Sequence, residues 1–109
     1  MARTRRTGKG GREAVWSETF KAMGDRTRLS ILLKLVEGEY CVTDIGKALK
    51  MDAPKVSVHL TLLKYSGLVV NEKQGHRVIY RINPALVKKG DAGLVLDVDG
   101  CLLTFTKSG

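Results

Sequence analysis

The sequence predicts an α+β fold, mainly helical, with a β-hairpin after its last helix and a further hairpin or strand at its C-terminal end. Three observations predict it. Between Trp16 and Leu63 apolar residues recur at helical spacing, interrupted at Gly38 and at Met51-Asp52-Ala53. Between Leu68 and Ile82 two runs of strand formers flank Lys73-Gln74-Gly75-His76, which contains the glycine a tight turn wants. Beyond Gly90, Leu94-Val95-Leu96-Asp97-Val98 and Cys101-Leu102-Leu103-Thr104-Phe105 are strand-like and are separated by Asp99-Gly100, a strong two-residue hairpin signal.

Taken in order, Trp16, Phe20 and Met23 form an apolar stripe suited to packing on the rest of the domain or on a second subunit. Asp25 can cap the next helix, in which Leu29, Leu32, Leu33 and Val36 give an apolar face that Ile31 and Leu35 widen, ending before Gly38. Thr43 is a hydroxyl cap for a short helix with apolar positions at Ile45, Ala48 and Leu49. Asp52 caps the following helix and Pro54 fits its first turn, where a missing N–H costs nothing. On that helix Val56, Leu60 and Leu63, with His59 beside them, share one face, while Pro54, Ser57, Val58, Thr61 and Tyr65 share the other. Gly67 is a C-cap, and the runs Leu68-Val69-Val70 and Val78-Ile79-Tyr80-Arg81-Ile82 form the hairpin. Helix, turn, helix and hairpin in this order make a winged helix-turn-helix, whose commonest use is reading duplex DNA.

The residues from Phe20 to Asn83 also resemble a family, the ArsR/SmtB type of bacterial and archaeal repressor. The resemblance rests on Asp25 followed by Thr27-Arg28-Leu29 and Ile31-Leu32, on Ser57-Val58-His59-Leu60, on Gly67-Leu68-Val69 at the entry to the wing, and on Tyr80-Arg81-Ile82-Asn83 at its close. It implies a homodimer in which the first helix takes part in the contacts between subunits. The tail departs from the family pattern, in which many relatives end in a long helix that pairs across the dimer and can carry metal ligands. Here Pro84-Ala85-Leu86-Val87-Lys88-Lys89 has room for a turn or two of helix before Gly90. A lone hairpin after it is marginally stable, so its strands must pack on the domain, on each other across a dimer, or on a partner. A dimer interface built partly from this tail is the preferred expectation, with Leu94, Leu96, Leu103 and Phe105 joining Trp16, Phe20 and Met23.

At 109 residues and 43% hydrophobic content the chain suits one domain with a small core. We divide it into a basic flexible arm at 1–12, the winged helix-turn-helix at 13–83 and the strand-like extension at 84–109. The net charge of +8 is uneven. Arg3, Arg5, Arg6, Lys9 and Arg12 put five positive charges and no acid into the arm, which has too little apolar content to fold alone. The arm reads as a phosphate or minor-groove contact; a solubilising tail stays open, and a transit peptide is disfavoured by the lack of an amphipathic stripe. No apolar run approaches the roughly 18 residues that span a bilayer, and no apolar stretch of a secretory signal is present, so no membrane partner and a cytoplasmic location are expected.

Metal and redox chemistry have little to draw on. Where metal-sensing members of the resembled family carry a C-V-C pair, this chain has Cys41-Val42-Thr43, and a hydroxyl is a poor replacement for a second soft thiolate. No metal and no cofactor are expected, although a redox pair of Cys41 and Cys101 is conceivable, within or between subunits. Asp97 and Asp99 are more simply turn residues than calcium ligands. Catalysis is not expected: there is no phosphate-cradling glycine motif, no nucleophile elbow and no paired carboxylates, and Ser57 and His59 are not neighbours on a helix. His59 is expected to be partly buried and hydrogen-bonded.

Three function classes remain: a dimeric regulator, expected to be a repressor, that binds double-stranded DNA at an inverted repeat; a winged-helix protein- or RNA-interaction module; and a non-sensing architectural DNA binder. For the first class, Ser57 and Thr61 are the residues expected to bond base edges or phosphates, Val58 to meet a thymine methyl and Lys55 to reach guanine or the backbone, with Pro54 and Lys64 on the same helix. Lys73, His76 and Arg77 of the wing and Arg3, Arg5 and Arg6 of the arm are expected to position the phosphates.

Overall fold

The structure, a computed structural model, describes residues 11–88 and 93–106. In chain order the elements are α1 (Gly11–Met23), α2 (Arg26–Val36), β1 (Tyr40–Cys41), α3 (Val42–Leu49), α4 (Ala53–Tyr65), β2 (Val69–Gln74), β3 (Arg77–Ile82), a 3-10 turn at Pro84–Leu86, β4 (Val87–Lys88), β5 (Gly93–Val98) and β6 (Cys101–Thr106). They form the expected winged helix-turn-helix with a second small sheet behind it. Gly11 and Arg12, the last two residues of the expected arm, already belong to α1.

Asp25 caps α2 by accepting the Arg28 backbone N–H at 3.0 Å, and the Arg28 side chain in turn donates to the Ala22 carbonyl at 2.8 Å, tying the end of α1 to the start of α2. The inward face of α2 is Ile31, Leu32 and Leu35, whereas Leu33 points to solvent. The expected face was therefore rotated: α2 packs at once on α4, α3 and β3, and burial on several sides selects residues that a one-sided stripe leaves at its margin.

Cys41 is the N-cap of α3, and Thr43 lies inside its first turn rather than capping it. The reason lies outside the local sequence: Tyr40 and Cys41 form a short strand paired with Tyr80 and Ile79, so the chain passes directly from strand into helix. Lys50, in the left-handed region at φ 57°, ends α3, and the Met51 N–H donates to the Gly46 carbonyl at 2.8 Å. Asp52 then stands at the N-cap of α4 with no side-chain bond, and Pro54 occupies the first turn. The last turn of α4 closes through Gly67 at φ 85°, with the Leu68 N–H donating to the Leu63 carbonyl at 3.1 Å.

The wing sheet has the order β1-β3-β2, so the β2–β3 hairpin gains a third strand that the sequence did not disclose. Its far end is pinned to α4: the Asn83 side chain donates to the Gly67 carbonyl and the Asn83 backbone N–H to the Leu68 carbonyl, both at 2.9 Å. The core gathers Ile31, Leu32, Leu35, Ile45, Val56, Leu60, Leu63, Leu68, Val69 and Ile82.

The second sheet has the order β4-β5-β6. Its β5–β6 hairpin turns at Asp99 and Gly100, both at positive φ (52° and 93°), the conformation expected of a two-residue turn between twisted strands. Only the 3-10 turn at Pro84–Leu86 represents the helix expected before it, because Val87 and Lys88 pair with Leu96 and Val95. The hairpin docks on its own domain. The Trp16 indole N–H donates to the Val98 carbonyl at 2.8 Å, and Leu96 and Val98 join the main core. Leu96, expected between two copies, is 0% exposed within one chain, which corrects its assignment. Trp16, Met23, Leu94, Leu103 and Phe105 are partly buried against the same core, and Phe20 keeps 49% of its surface exposed.

Candidate nucleic-acid interface

The amphipathic pattern of α4 places its side chains. Val56, Leu60 and Leu63 anchor the helix in the core, and the opposite side presents Pro54, Lys55, Val58, Thr61, Lys64 and Tyr65 to solvent, with Ser57 half-buried. Val58 is 60% and Tyr65 86% exposed, a large apolar surface to leave in solvent. The Thr61 hydroxyl donates to the Ser57 carbonyl at 2.9 Å, which holds its side chain along the helix and leaves the oxygen's lone pairs outward as acceptors. The structure thus brings together the six residues expected on this helix.

The wing tip carries Lys73, Gln74, Gly75 and His76, all exposed, with Gly75 at φ 63° making the turn. Arg77 behaves differently. Its guanidinium bonds Asp44 Oδ2 and Cys41 Sγ, both at 3.0 Å, and the Cys41 thiol donates to the same Asp44 oxygen at 3.1 Å. The Cys41 hydrogen bond first, and the Arg77 charge next among the attractive causes, hold the Asp44 carboxyl below its ordinary pKa, while Arg77 is held above its own. This contact joins the first turn of α3 to the wing, 33 residues away in sequence. Of the remaining expected phosphate contacts, Arg3, Arg5 and Arg6 lie outside the described residues.

Sequence reasoning missed three residues that shape this surface. Gly46 is buried where α3 meets the turn, and a Cβ there would lie 2.7 Å from the Met51 carbonyl oxygen; a glycine inside a helical pattern was the available signal. Asp44 and Asn83, which hold the wing, carry no local signal for those partners. His59 is half-buried as expected, and its buried Nδ1 meets no hydrogen-bond partner among the described residues.

A recess of about 440 Å³ between α3 and the wing is lined by Cys41, Thr43, Asp44, His76 and Arg77. It suits a soft cation poorly: one thiol and one carboxylate face the fixed positive charge of Arg77. Among the described residues no three His, Cys, Asp or Glu side chains gather into a metal-binding group. Cys41 and Cys101 are both free thiols, one in the wing sheet and one in the second sheet. No helix among the described residues is long and apolar enough to cross a membrane.

Comparison with known proteins agrees with this geometry. A family profile described as a bacterial regulatory protein of the arsR family matches residues 25–70. The arsenical resistance operon repressor of Escherichia coli (strain K12) is 50% identical over 68 residues, which are 62% of this chain and 58% of that protein. Arsenic resistance transcriptional regulator ArsR1 of Pseudomonas putida is 37% identical over 81 residues, or 63% of its length, so the chain spans about three fifths of these relatives. An HTH-type transcriptional regulator of Methanocaldococcus jannaschii, MJ1325, is 45% identical over 74 residues, covering 67% of this chain and 83% of that one. Among solved structures, the homodimeric winged helix-turn-helix DNA-binding domain of Mb0332 from Mycobacterium bovis superposes with a TM-score of 0.67 at 33% identity, covering 78% of each chain. These relatives are named as regulators or as a repressor, and the family profile runs through α2, α3 and α4 to the first residues of β2. The chain belongs to the ArsR family of transcriptional regulators.

Proposed function

We propose that this protein is a cytoplasmic, sequence-specific transcriptional regulator, a homodimeric repressor that binds double-stranded DNA at an inverted-repeat operator and catalyses no reaction. The observation that carries the reading is the free face of α4, polar and modestly apolar from Pro54 to Thr61, set beside an exposed basic wing tip. An α-helix enters a major groove about 12 Å wide, and small polar and methyl-bearing side chains near its N-terminal end are the ones that reach base edges. In this reading Lys55, Ser57, Val58 and Thr61 read bases, Pro54 and Lys64 lie along the same groove, and Lys73, His76 and Arg77 meet phosphates together with Arg3, Arg5 and Arg6 of the arm at 1–12. A single such helix contacts few base pairs, so two copies reading half-sites a helical turn or a multiple apart give the specificity. That the Mb0332 domain is homodimeric and that the Escherichia coli relative is a repressor support the assembly and the direction of control.

The test is selection of genomic fragments by the protein, followed by salt titration of binding to the selected repeat and to random duplex. A preference of at least about a thousandfold at physiological salt is expected. Ser57→Glu, which places a carboxylate against bases and phosphates at a half-buried surface position, is expected to remove that preference while leaving the melting curve in place. Equal affinity for both duplexes refutes sequence-specific regulation, and a folded Ser57→Glu chain with full affinity moves the reading surface away from α4.

A further inference from the structure

The two sheets expose four strand edges, and they are unlike one another. β1 and β4 have two residues each, and Lys88 of β4 is paired with Asp97 at 3.3 Å. The outer strand of the wing, β2, carries Glu72 and Lys73. Short length and charge are the usual devices that keep an edge from pairing. β6 has neither: Cys101–Thr106 is six residues long, with no charge and no proline, and it pairs with β5 in unbroken register from Gly93–Thr106 to Val98–Cys101. No other described strand lies along its outer side. Leu102, beside that outer side on the face turned from the core, is 61% exposed.

We infer that β6 is the surface through which two copies of this chain associate, pairing antiparallel with β6 of the partner about a two-fold axis and joining two three-stranded sheets into one of six strands. The inference rests on the homodimer reading and names its interface. The two-residue turn makes Val98–Cys101 a hydrogen-bonded pair, and by alternation the N–H and C=O groups of Leu102, Thr104 and Thr106 point away from β5 toward the open edge. An antiparallel pair centred on Thr104 satisfies them with about six main-chain bonds. It also sets Leu103 opposite the partner's Phe105, continuing the apolar row that Leu94, Leu96, Leu103 and Phe105 lay against the core of each chain.

A second copy is the occupant because the edge suits itself. Two identical uncharged strands oppose no like charges, an antiparallel pair of identical strands generates the two-fold axis that an inverted repeat requires, and closing the pair leaves the joined sheet only the short, charge-guarded β4 strands as edges.

The test uses the full chain in sedimentation equilibrium. The wild type is expected at about twice its 12.0 kDa chain mass. Thr104→Pro removes only an outward N–H and places a ring on the open edge, and Thr104→Lys keeps the N–H but opposes two ammonium groups at the axis. Each is expected to raise the dimer dissociation constant at least about tenfold, with the Trp16 emission of the docked hairpin unchanged. A folded variant of either kind that stays dimeric at wild-type concentrations overturns the β6 interface while leaving the homodimer reading intact. A wild-type chain that remains monomeric both alone and on its selected operator overturns the homodimer reading, and this interface with it.

Discussion

Replacing Gly46 with alanine tests the geometry that aims the recognition helix. In an unconstrained helix the change is favourable by about 1 kcal/mol, because alanine loses less backbone entropy on folding. At this position the new Cβ would lie 2.7 Å from the Met51 carbonyl oxygen and 3.9 Å from Val56 Cγ2. The turn has little slack to relieve the contact, since the Met51 N–H is bound to the carbonyl of Gly46 itself at 2.8 Å and Lys50 is already left-handed. Overpacking of a well-filled site costs roughly 1–3 kcal/mol with wide scatter. Against a backbone rather than a flexible side chain the upper part of that range applies, so the helix gain is outweighed and the net loss is about 1–2 kcal/mol.

For a domain of this size each kcal/mol moves Tm by about 4–8 °C, so a fall of roughly 5–15 °C is expected in thermal unfolding followed by circular dichroism. Because the turn joins α3 to α4, relief of the contact also tilts α4. Operator affinity measured well below Tm is therefore expected to fall even where the chain is fully folded. The sign is decisive: a Gly46→Ala chain with a raised Tm and unchanged affinity refutes the close approach of α3 to the Met51 carbonyl.

Two other expectations follow from contacts away from the exposed face of α4. Trp16→Phe removes the indole N–H from the Val98 carbonyl, and loss of one such hydrogen bond is expected to lower stability by about 1 kcal/mol in urea unfolding at constant m; an unchanged midpoint argues that the bond contributes nothing to docking of the β5–β6 hairpin. The carboxyls of Asp25, Asp44 and Asp97 all lie below their ordinary pKa, held there first by the Arg28 backbone N–H, the Cys41 thiol and the Gly100 backbone N–H respectively. A depressed folded pKa contributes stability above the unfolded carboxylate value and loses it as pH falls through the folded one. Tm is thus expected to be insensitive to these groups from pH 5 upward and to drop only below about pH 4. Asp44→Asn is expected to flatten that drop, and a profile identical to the wild type removes Asp44 from the account.

How much of this was legible in the sequence depended on how far apart the partners lie. Asp25 acts on Arg28 three residues on, the α4 face repeats within one helix, and the turns at Gly75 and Asp99-Gly100 are fixed by two residues each, so all were readable locally. Thr43 was misplaced as a cap because the start of α3 is set by the pairing of Cys41 with Ile79, a strand contact across 38 positions. The inward face of α2 was read too far toward Leu33, since α1, α3, α4 and β3 all pack on that helix and periodicity registers only one side. Leu96 looked like interface because a lone hairpin must bury its apolar side somewhere, and nothing in its own run says that Trp16 and α1 supply the cover.

The least legible contacts are also the ones that make the candidate site a single body. Three independent connections hold the wing against the helix-turn-helix: the β1–β3 pairing, the Asn83 bonds to Gly67 and Leu68, and the bond from Arg77 to Asp44. They act at different points along the hairpin, so neither end of the wing can move without breaking one of them. A helix and a wing tip that drifted independently would each lose orientational freedom again on meeting a duplex, and affinity would fall by that cost. Held together, Lys73 and His76 stay at fixed distance from Val58 and Thr61, which in the proposed reading lets phosphate contacts of the wing fix the register in which α4 meets the bases. Arg77 serves this arrangement by holding Asp44 in the first turn of α3, so in the proposed reading its value to DNA binding lies in the rigidity of the pair as well as in its charge.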